Sequence, residues 1–424
     1  MFARRQLNLA KASLLLHTLK QDPGRLDLLL PLQKFLVDRI LATERTILWT
    51  KRSMSRRQAN LRSGRLPKVE SSNLKSQIKG QKNYIRDLHQ LLFIWKCYGD
   101  GVASVYQSSY SLKHLFYDHQ YAVKQGPGFI TGKTGFDWEW KALVAALEAG
   151  VPAVLSDITN TIRTGDICLL AGADPYPIEI KSSTAPGKRR SRQEETIEGL
   201  LSFFANDYAK CFRGSPSVRR VAVEVPEVRY ELEMNACLES ALKDGFSIVR
   251  PEPGLIYIGC RTALDMMDKV NPYLNNTTLL RMLTPEESWL PCHPFTLSLS
   301  PGLCYFFISS KVTIFVLIDF LHLKSLFAKH GVTAIILMDG TSAIQVSYGP
   351  ADKAPGVFRV NELHFARVGL EFQSLEWFAA MTSKQILDDG LHDEIKEEDI
   401  PHLLERGELM AIPESWLTAK DCFL

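Results

Sequence analysis

The chain has 424 residues, 46% of them hydrophobic and 23% charged, which is enough apolar material for two or three domains with substantial cores. A formal net charge of +3 is too small to argue for a polyanionic partner by itself. Eight scattered cysteines without a C-x-x-C pair exclude a zinc-ribbon or disulfide-framework protein and point to a reducing compartment.

From the start to about residue 128 the apolar spacing is helical, with stripes such as Leu28, Leu29, Leu32 and Phe35, and a loop or hinge is expected near Arg57 to Ser72. The first twenty residues carry Arg4, Arg5, Lys11 and Lys20 and no acid, a composition shared with transit peptides. Their leucine spacing runs on into an ordinary helix pattern, so a folded, cytoplasmic start is expected. Charge is unevenly distributed. Lys51 to Asp100 holds twelve Lys or Arg against three acids, whereas Met381 to Met410 holds nine acids against three bases. The basic stretch reads either as an arm that grips DNA or a protein partner, or as the solvated surface of a helical region. No segment is a convincing membrane span, because the most apolar run, Cys304 to Leu323, is interrupted by Lys311 and Asp319.

Gly126 to Gly135 (G-P-G-F-I-T-G-K-T-G) is expected to be a flexible linker. Its Gly132-Lys133-Thr134 imitates the end of a phosphate-binding loop, but Pro127 stands where that motif needs glycine. Phe136 to Ala149 then has helical periodicity on Trp140, Leu143, Val144 and Leu147, and stops at Gly150. Three strands follow: Val151 to Ile158, one starting at Asp166, and one carrying Glu179 and Lys181. A Pro/Gly/Asp turn joins the last two. A helix is expected from about Ser191 to Ala209, then a β-rich run from Val218 to Val225, a helix from Tyr230 to Lys243, and a strand near Phe246 to Val249.

Because side chains alternate along a strand, Glu179 and Lys181 share one face while Ile180 points to the other. Two acids and a lysine on neighbouring strands suit divalent-metal chemistry, since carboxylate oxygens hold Mg²⁺ or Mn²⁺ and an ammonium can position a water. The same triplet at Glu394-Ile395-Lys396 lies in an acidic run with no strand before it and reads as a charged surface.

The stretch Asp166, twelve intervening residues, Glu179-Ile180-Lys181 resembles the PD-(D/E)XK nuclease superfamily, which includes restriction endonucleases and Holliday junction resolvases. Gly165 stands where the family name puts a proline. The expected fold is therefore α/β, a restriction endonuclease-like αβββαβ core over residues 129–261, with a basic helical region at 1–128 and an α+β region of unknown role at 262–424. The resemblance implies a metal-dependent nuclease, most readily a DNA endonuclease with a defence or restriction role, leaving a 5′-phosphate and a 3′-hydroxyl. Asp166, Glu179 and the carbonyl of Ile180 would hold Mg²⁺ or Mn²⁺, with Lys181 orienting the water. Glu139 would hold a second ion, Glu148 being the weaker candidate; Glu139 also reads as an acid favoured by the dipole of a first helical turn. Lys188, Arg189, Arg190 and Arg192, with Gln193 beside them, read either as phosphate contacts or as a solvated loop, and Ser183 would share the face of Lys181. The alternative is a catalytically inactive nuclease-like module that binds nucleic acid or protein.

Beyond Thr262 no chemistry is legible. A helix is expected near Leu264 to Met267, apolar strands at Thr313 to Ile318 and Thr333 to Met338, and a hairpin turn at Asp339-Gly340. This region reads as an extension of the nuclease sheet, a separate interaction domain or a dimerisation element, and a second copy or a protein partner would attach through it or through the N-terminal region. His293 and His322 lack metal-ligand spacing, and no G-x-S-x-G elbow supports a serine hydrolase.

Overall fold

Two long helices organise the molecule. In the computed structural model, which describes residues 5–64, 66–118, 120–180, 188–221, 225–261, 266–348 and 356–388, helix α1 (Gln6–Gln21) is followed by α2 (Leu26–Arg62) and α3 (Lys68–Tyr106), and then by the short α4 (Ser109–Phe116). The expected hinge contracts to the few residues between Arg62 and Lys68. At about 1.5 Å per residue, the 37 residues of α2 and the 39 of α3 span about 55 and about 58 Å. They pack along one another, and their far halves are amphipathic, whereas Leu91 to Ala103 of α3 is buried on every side. The helix therefore runs into the centre of the protein, with Ser13 Oγ and the Tyr98 hydroxyl 2.8 Å apart where α1 crosses it.

Helix α5 (Phe136–Glu148) leads into a three-stranded antiparallel sheet, β1 (Ala153–Leu155), β2 (Ile167–Leu169) and β3 (Tyr176–Ile178), in the order β1-β2-β3. The expected first strand, Val151 to Ile158, is shorter because Ser156–Ile158 tightens into a 3₁₀ turn. The open edge of β1 is closed by one side chain. Gln33 of α2 donates to the Ala153 carbonyl at 2.8 Å and accepts from the Leu155 amide at 3.0 Å, satisfying backbone groups that a neighbouring strand would otherwise pair. Gly99 of α3 lets the 3₁₀ turn lie directly on the helix, because a Cβ there would come within 2.0 Å of the Ile158 carbonyl oxygen. One residue further along α3, Asp100 accepts from the amides of Asn160 and Thr161 at 2.9 and 2.8 Å and from Asn160 Nδ2 at 2.9 Å, pinning the connection to β2.

Helix α6 (Lys188–Asn206) starts and ends three residues before the sequence expectation. The apolar spacing runs on through Tyr208, but Asp207 adopts φ 53° and turns the chain. Tyr208 thus opens β4 (Tyr208–Phe212), which pairs with β5 (Ser215–Arg219) in a hairpin of its own. The expected strand at Val218 to Val225 is represented by β5 as far as Arg219. Helix α7 (Glu231–Asp244) stops at Gly245, whose φ of 88° forms the left-handed cap.

A four-stranded antiparallel sheet follows in the order β6-β7-β9-β8, built from β6 (Phe246–Glu252), β7 (Leu255–Cys260), β8 (Thr278–Leu283) and β9 (Thr313–Asp319). The domain boundary expected at residue 261 falls inside it, since β7 and β9 pair from opposite sides of that point. Helices α8 (Met266–Val270), α9 (Phe295–Ser298) and α10 (Pro301–Ile308) lie between these strands in sequence. Helix α11 (Phe320–Lys329) leads to a second sheet of β10 (Thr333–Ile336), β11 (Ser342–Tyr348) and β12 (Gly356–Asn361), and then to α12 (Glu362–Leu370) and α13 (Leu375–Asp388). The β10–β11 turn is at Asp339-Gly340 as expected: Asp339 Oδ1 accepts from the amides of Thr341 and Ser342, and Gly340 has φ 93°.

The architecture is mixed α/β with small antiparallel sheets. One continuous apolar core extends from Leu9 through Trp95, Leu143 and Val316 to Phe378 and Ile386, joining the N-terminal, central and C-terminal parts of the sequence. No helix among the described residues is long and apolar enough to cross a membrane.

Candidate functional site

Three carboxylates converge on one ammonium where α5, the 3₁₀ turn after β1 and the start of β2 meet. Lys133 Nζ donates to Glu139 Oε2 at 2.8 Å and to Asp157 Oδ2 at 2.7 Å, and lies 3.4 Å from Asp166 Oδ1. Glu139 sits in the first turn of α5 and is 3% exposed; Asp157 is 6% exposed.

Each position has a local cause. Asp166 immediately precedes β2, and its backbone is locked into the sheet: its amide donates to the Ile178 carbonyl at 2.8 Å, and its carbonyl accepts from the Ser156 amide at 2.9 Å. Its second carboxylate oxygen accepts the Ile180 amide at 2.9 Å. Gly165 before it has φ 78°, and a Cβ there would fall 2.9 Å from the Ile178 amide nitrogen. A proline, whose ring holds φ near −65°, has no access to that conformation, so the turn excludes one at this position.

The β2–β3 register pairs Ile167 with Ile178. The pairing does not run on to Glu179: the Asp166 amide donates to Ile178, the residue already opposite Ile167, and the Asp166 carboxylate accepts the Ile180 amide. Glu179 lies just beyond the end of β3, half-buried. Burial lowers the nearby Lys124 ammonium below its ordinary value, and the Glu179 carboxylate acts against that shift. Lys181 lies outside the described residues, as do the side chains of Lys188, Arg189, Arg190, Arg192 and Gln193, whose backbone forms the first turns of α6. Ser183 and the Glu394-Ile395-Lys396 triplet also lie outside them. Glu148 is exposed at the far end of α5, away from the cluster.

Two members of the cluster were not legible in the sequence as site residues. Asp157 follows an apolar strand, as Asp166 precedes one, and that symmetry was the available signal. Lys133 falls in the segment expected to be a flexible linker. That expectation is corrected by its anchoring: the buried Glu44 carboxylate of α2 accepts from the amides of Ile130 and Thr131 at 3.1 and 2.8 Å, which fixes the chain two residues before Lys133.

The electrostatics follow from three acids sharing one base. For Lys133, burial disfavours the charged form, but hydrogen bonds to Asp157 and Glu139 outweigh it and hold the ammonium above its ordinary value. For Glu139, burial is the largest influence, opposed by the Lys133 hydrogen bond and reinforced by repulsion from Asp166 and Asp157, and its carboxyl is pushed up to about 7. The cluster thus holds surplus negative charge and one proton near neutrality. Its all-carboxylate donor set suits a hard divalent cation. The Lys133 ammonium takes the point of convergence, and no group of three or more His, Cys, Asp or Glu side chains among the described residues is arranged to hold a metal ion by itself.

Comparison with known proteins adds no assignment: no family model matches the sequence, and neither a curated protein nor a solved structure matches it.

Proposed function

We propose that the protein is a metal-dependent nuclease of the PD-(D/E)XK kind that acts on DNA. The observation that carries this reading is the convergence of Asp166, Asp157 and the buried Glu139 on Lys133 at the mouth of the β2–β3 hairpin, with the Asp166 carboxylate also accepting the amide of Ile180, the residue after Glu179. The element order α5-β1-β2-β3-α6 supports a restriction endonuclease-like core, although β5, where the closing strand was expected, pairs with β4 in a separate sheet and Gln33 closes the edge of β1. Asp166, Glu179 and the Ile180 carbonyl would hold Mg²⁺ or Mn²⁺, with Glu139 as a further ligand. The bound ion supplies Lewis-acid polarisation of a phosphate and a water of lowered pKa. Within the chain, Asp157 and Glu139 keep Lys133 charged beside Asp166, where it can meet a phosphate oxygen, and Lys181 would orient the attacking water.

A nucleic-acid partner is supported by the helical arm. Lys51, Arg52, Arg56 and Arg62 on α2, with Lys68, Lys75, Lys79, Lys82 and Arg86 on α3, are exposed, while Glu70 is the one exposed acid between Lys51 and Arg86 among the described residues. The arm begins beside the site, since Lys51 Nζ stands 5.9 Å from the ring centre of Phe129, four residues before Lys133. Basic side chains on such a surface meet phosphates and release counterions.

The inactive-module reading draws on one observation, the Lys133 ammonium seated among the carboxylates. Plasmid nicking discriminates the two. The nuclease reading expects Mg²⁺- or Mn²⁺-dependent conversion of supercoiled DNA that is abolished by chelator and by Asp166→Ala; divalent-ion-dependent DNA binding without cleavage by the parent protein would favour the module.

A further inference from the structure

A second site lies outside the carboxylate cluster and uses none of its residues. A cavity of about 580 Å³ opens between α4, the β4–β5 hairpin, β12, α12 and α13. Lys113, Arg213, Arg219 and Arg359 line it without an ion pair among the described residues, and Arg220 and Arg367 add two cations already matched by acids. Glu371 is the one carboxylate in the lining, and Arg367 and Arg229 engage it. The lining therefore offers these four cations no carboxylate of their own, and Asp118 and Asp339 act on Arg213 and Arg359 only from outside it.

Two buried groups are left with unmet donors or acceptors at this wall. Arg213 is 7% exposed; one guanidinium nitrogen donates to the His114 carbonyl, and Nη1 has no partner. His114 is 7% exposed, and its Nδ1 likewise has none. Buried nitrogens without partners are costly, and a site that keeps them is one in which a ligand can supply the missing acceptor. Burial, followed by repulsion from Arg367 and Arg213, lowers Lys113 to about 8, so an anion among these three cations would relieve that repulsion.

Charge accounts for only part of the space. The volume is within the range of pockets that enclose a small organic molecule and far exceeds the need of one inorganic anion. Its lining also includes two tyrosine rings: Tyr110, against which the Arg367 guanidinium lies at 4.2 Å, and the 41%-exposed Tyr121, stacked on Tyr117 at 4.4 Å. An exposed aromatic ring beside a guanidinium that has no ion pair among the described residues, as Tyr121 stands 5.8 Å from Arg213, suits a planar ring joined to a polyanion.

We propose that this cavity binds a phosphate-bearing ligand with a planar ring, of the nucleoside diphosphate class. The proposal is independent of nuclease activity. It is tested by calorimetric titration of the full chain with ADP in EDTA, which keeps divalent ions away from the carboxylate cluster. The expected result is saturable binding that weakens at least tenfold in Arg213→Gln and in the rim variant Arg219→Glu/Arg359→Glu. Because both rim residues are exposed, that variant stays informative if Arg213→Gln does not fold. Tyr121→Ala should weaken ADP at least fivefold and leave pyrophosphate unchanged. Absence of saturable ADP binding, undiminished binding in the rim variant, or equal affinity for ADP, pyrophosphate and adenosine would each overturn it.

Discussion

Replacing Glu139 by glutamine tests the electrostatics of the carboxylate cluster. Glu139 has an ordinary carboxyl value of 4.5, and in the folded protein burial and the neighbouring Asp166 and Asp157 push it up to about 7 against the pull of Lys133. A raised acid favours its protonated form, so the folded state binds a proton that the unfolded chain releases. Stability from this group is fully present below pH 4.5 and is lost as the pH rises through about 7. The rise from 4.5 to about 7, at about 1.4 kcal/mol per pH unit, sets a ceiling of about 3.5 kcal/mol. Glutamine cannot ionise and still offers Lys133 an amide oxygen. In thermal melts in EDTA, parent and Glu139→Gln should lie close together at about pH 5, with the variant increasingly the more stable at about pH 7 and 8. Parallel curves, or a parent that gains on the variant above about pH 6, would show that the Lys133 ion pair outweighs burial and refute the reasoning.

Lys133→Met removes the shared cation from two nearly buried carboxylates, a loss worth about 3–5 kcal/mol for a buried pair. Its melting temperature should fall in EDTA and recover with millimolar Mg²⁺ by more than the parent gains; an unchanged melt would argue that the ion pairs carry no stability. Gly165→Ala must hold a Cβ at φ 78° against the Ile178 backbone, at a cost of about 1–3 kcal/mol seen as a lower urea midpoint; parental stability would contradict the turn geometry. Lys51→Glu/Arg52→Glu/Arg56→Glu should weaken duplex binding and reduce the slope of log affinity against log salt by about 0.9 for each phosphate no longer neutralised, measured by fluorescence anisotropy. An unchanged slope would remove the arm from the DNA interface.

Where a feature was written locally, the sequence disclosed it. The Asp339-Gly340 turn, the α5 stripe ending at Gly150, the β2–β3 hairpin across a Pro/Gly/Asp turn and the helix expected from Tyr230 to Lys243, found as α7, each depend on a few adjacent residues. The break between α6 and β4 was hidden because Leu200, Phe204 and Tyr208 keep helical spacing across Asp207, whose positive φ leaves no trace in periodicity. Lys133 was hidden for a different reason. Its partners stand 6, 24 and 33 residues away on three separate elements, and only the anchoring of its loop by Glu44, more than 80 residues upstream, brings it to them. The same applies to the sheet across residue 261, whose central pairing joins β7 to a strand more than 50 residues later. Of the candidate site, Asp166 and Glu139 meet around one cation, and Glu179 adjoins Ile180, whose amide the Asp166 carboxylate accepts.

The central claim is that these acids form a divalent-cation site, and Mn²⁺ titration followed by electron paramagnetic resonance tests it without requiring a substrate. The account predicts at least one saturable Mn²⁺ site in the parent protein, weakened at least tenfold in Asp166→Asn, a variant whose side-chain oxygen can still accept the Ile180 amide. Failure of the parent to bind Mn²⁺ at millimolar concentration, or equal binding by parent and variant, would contradict it.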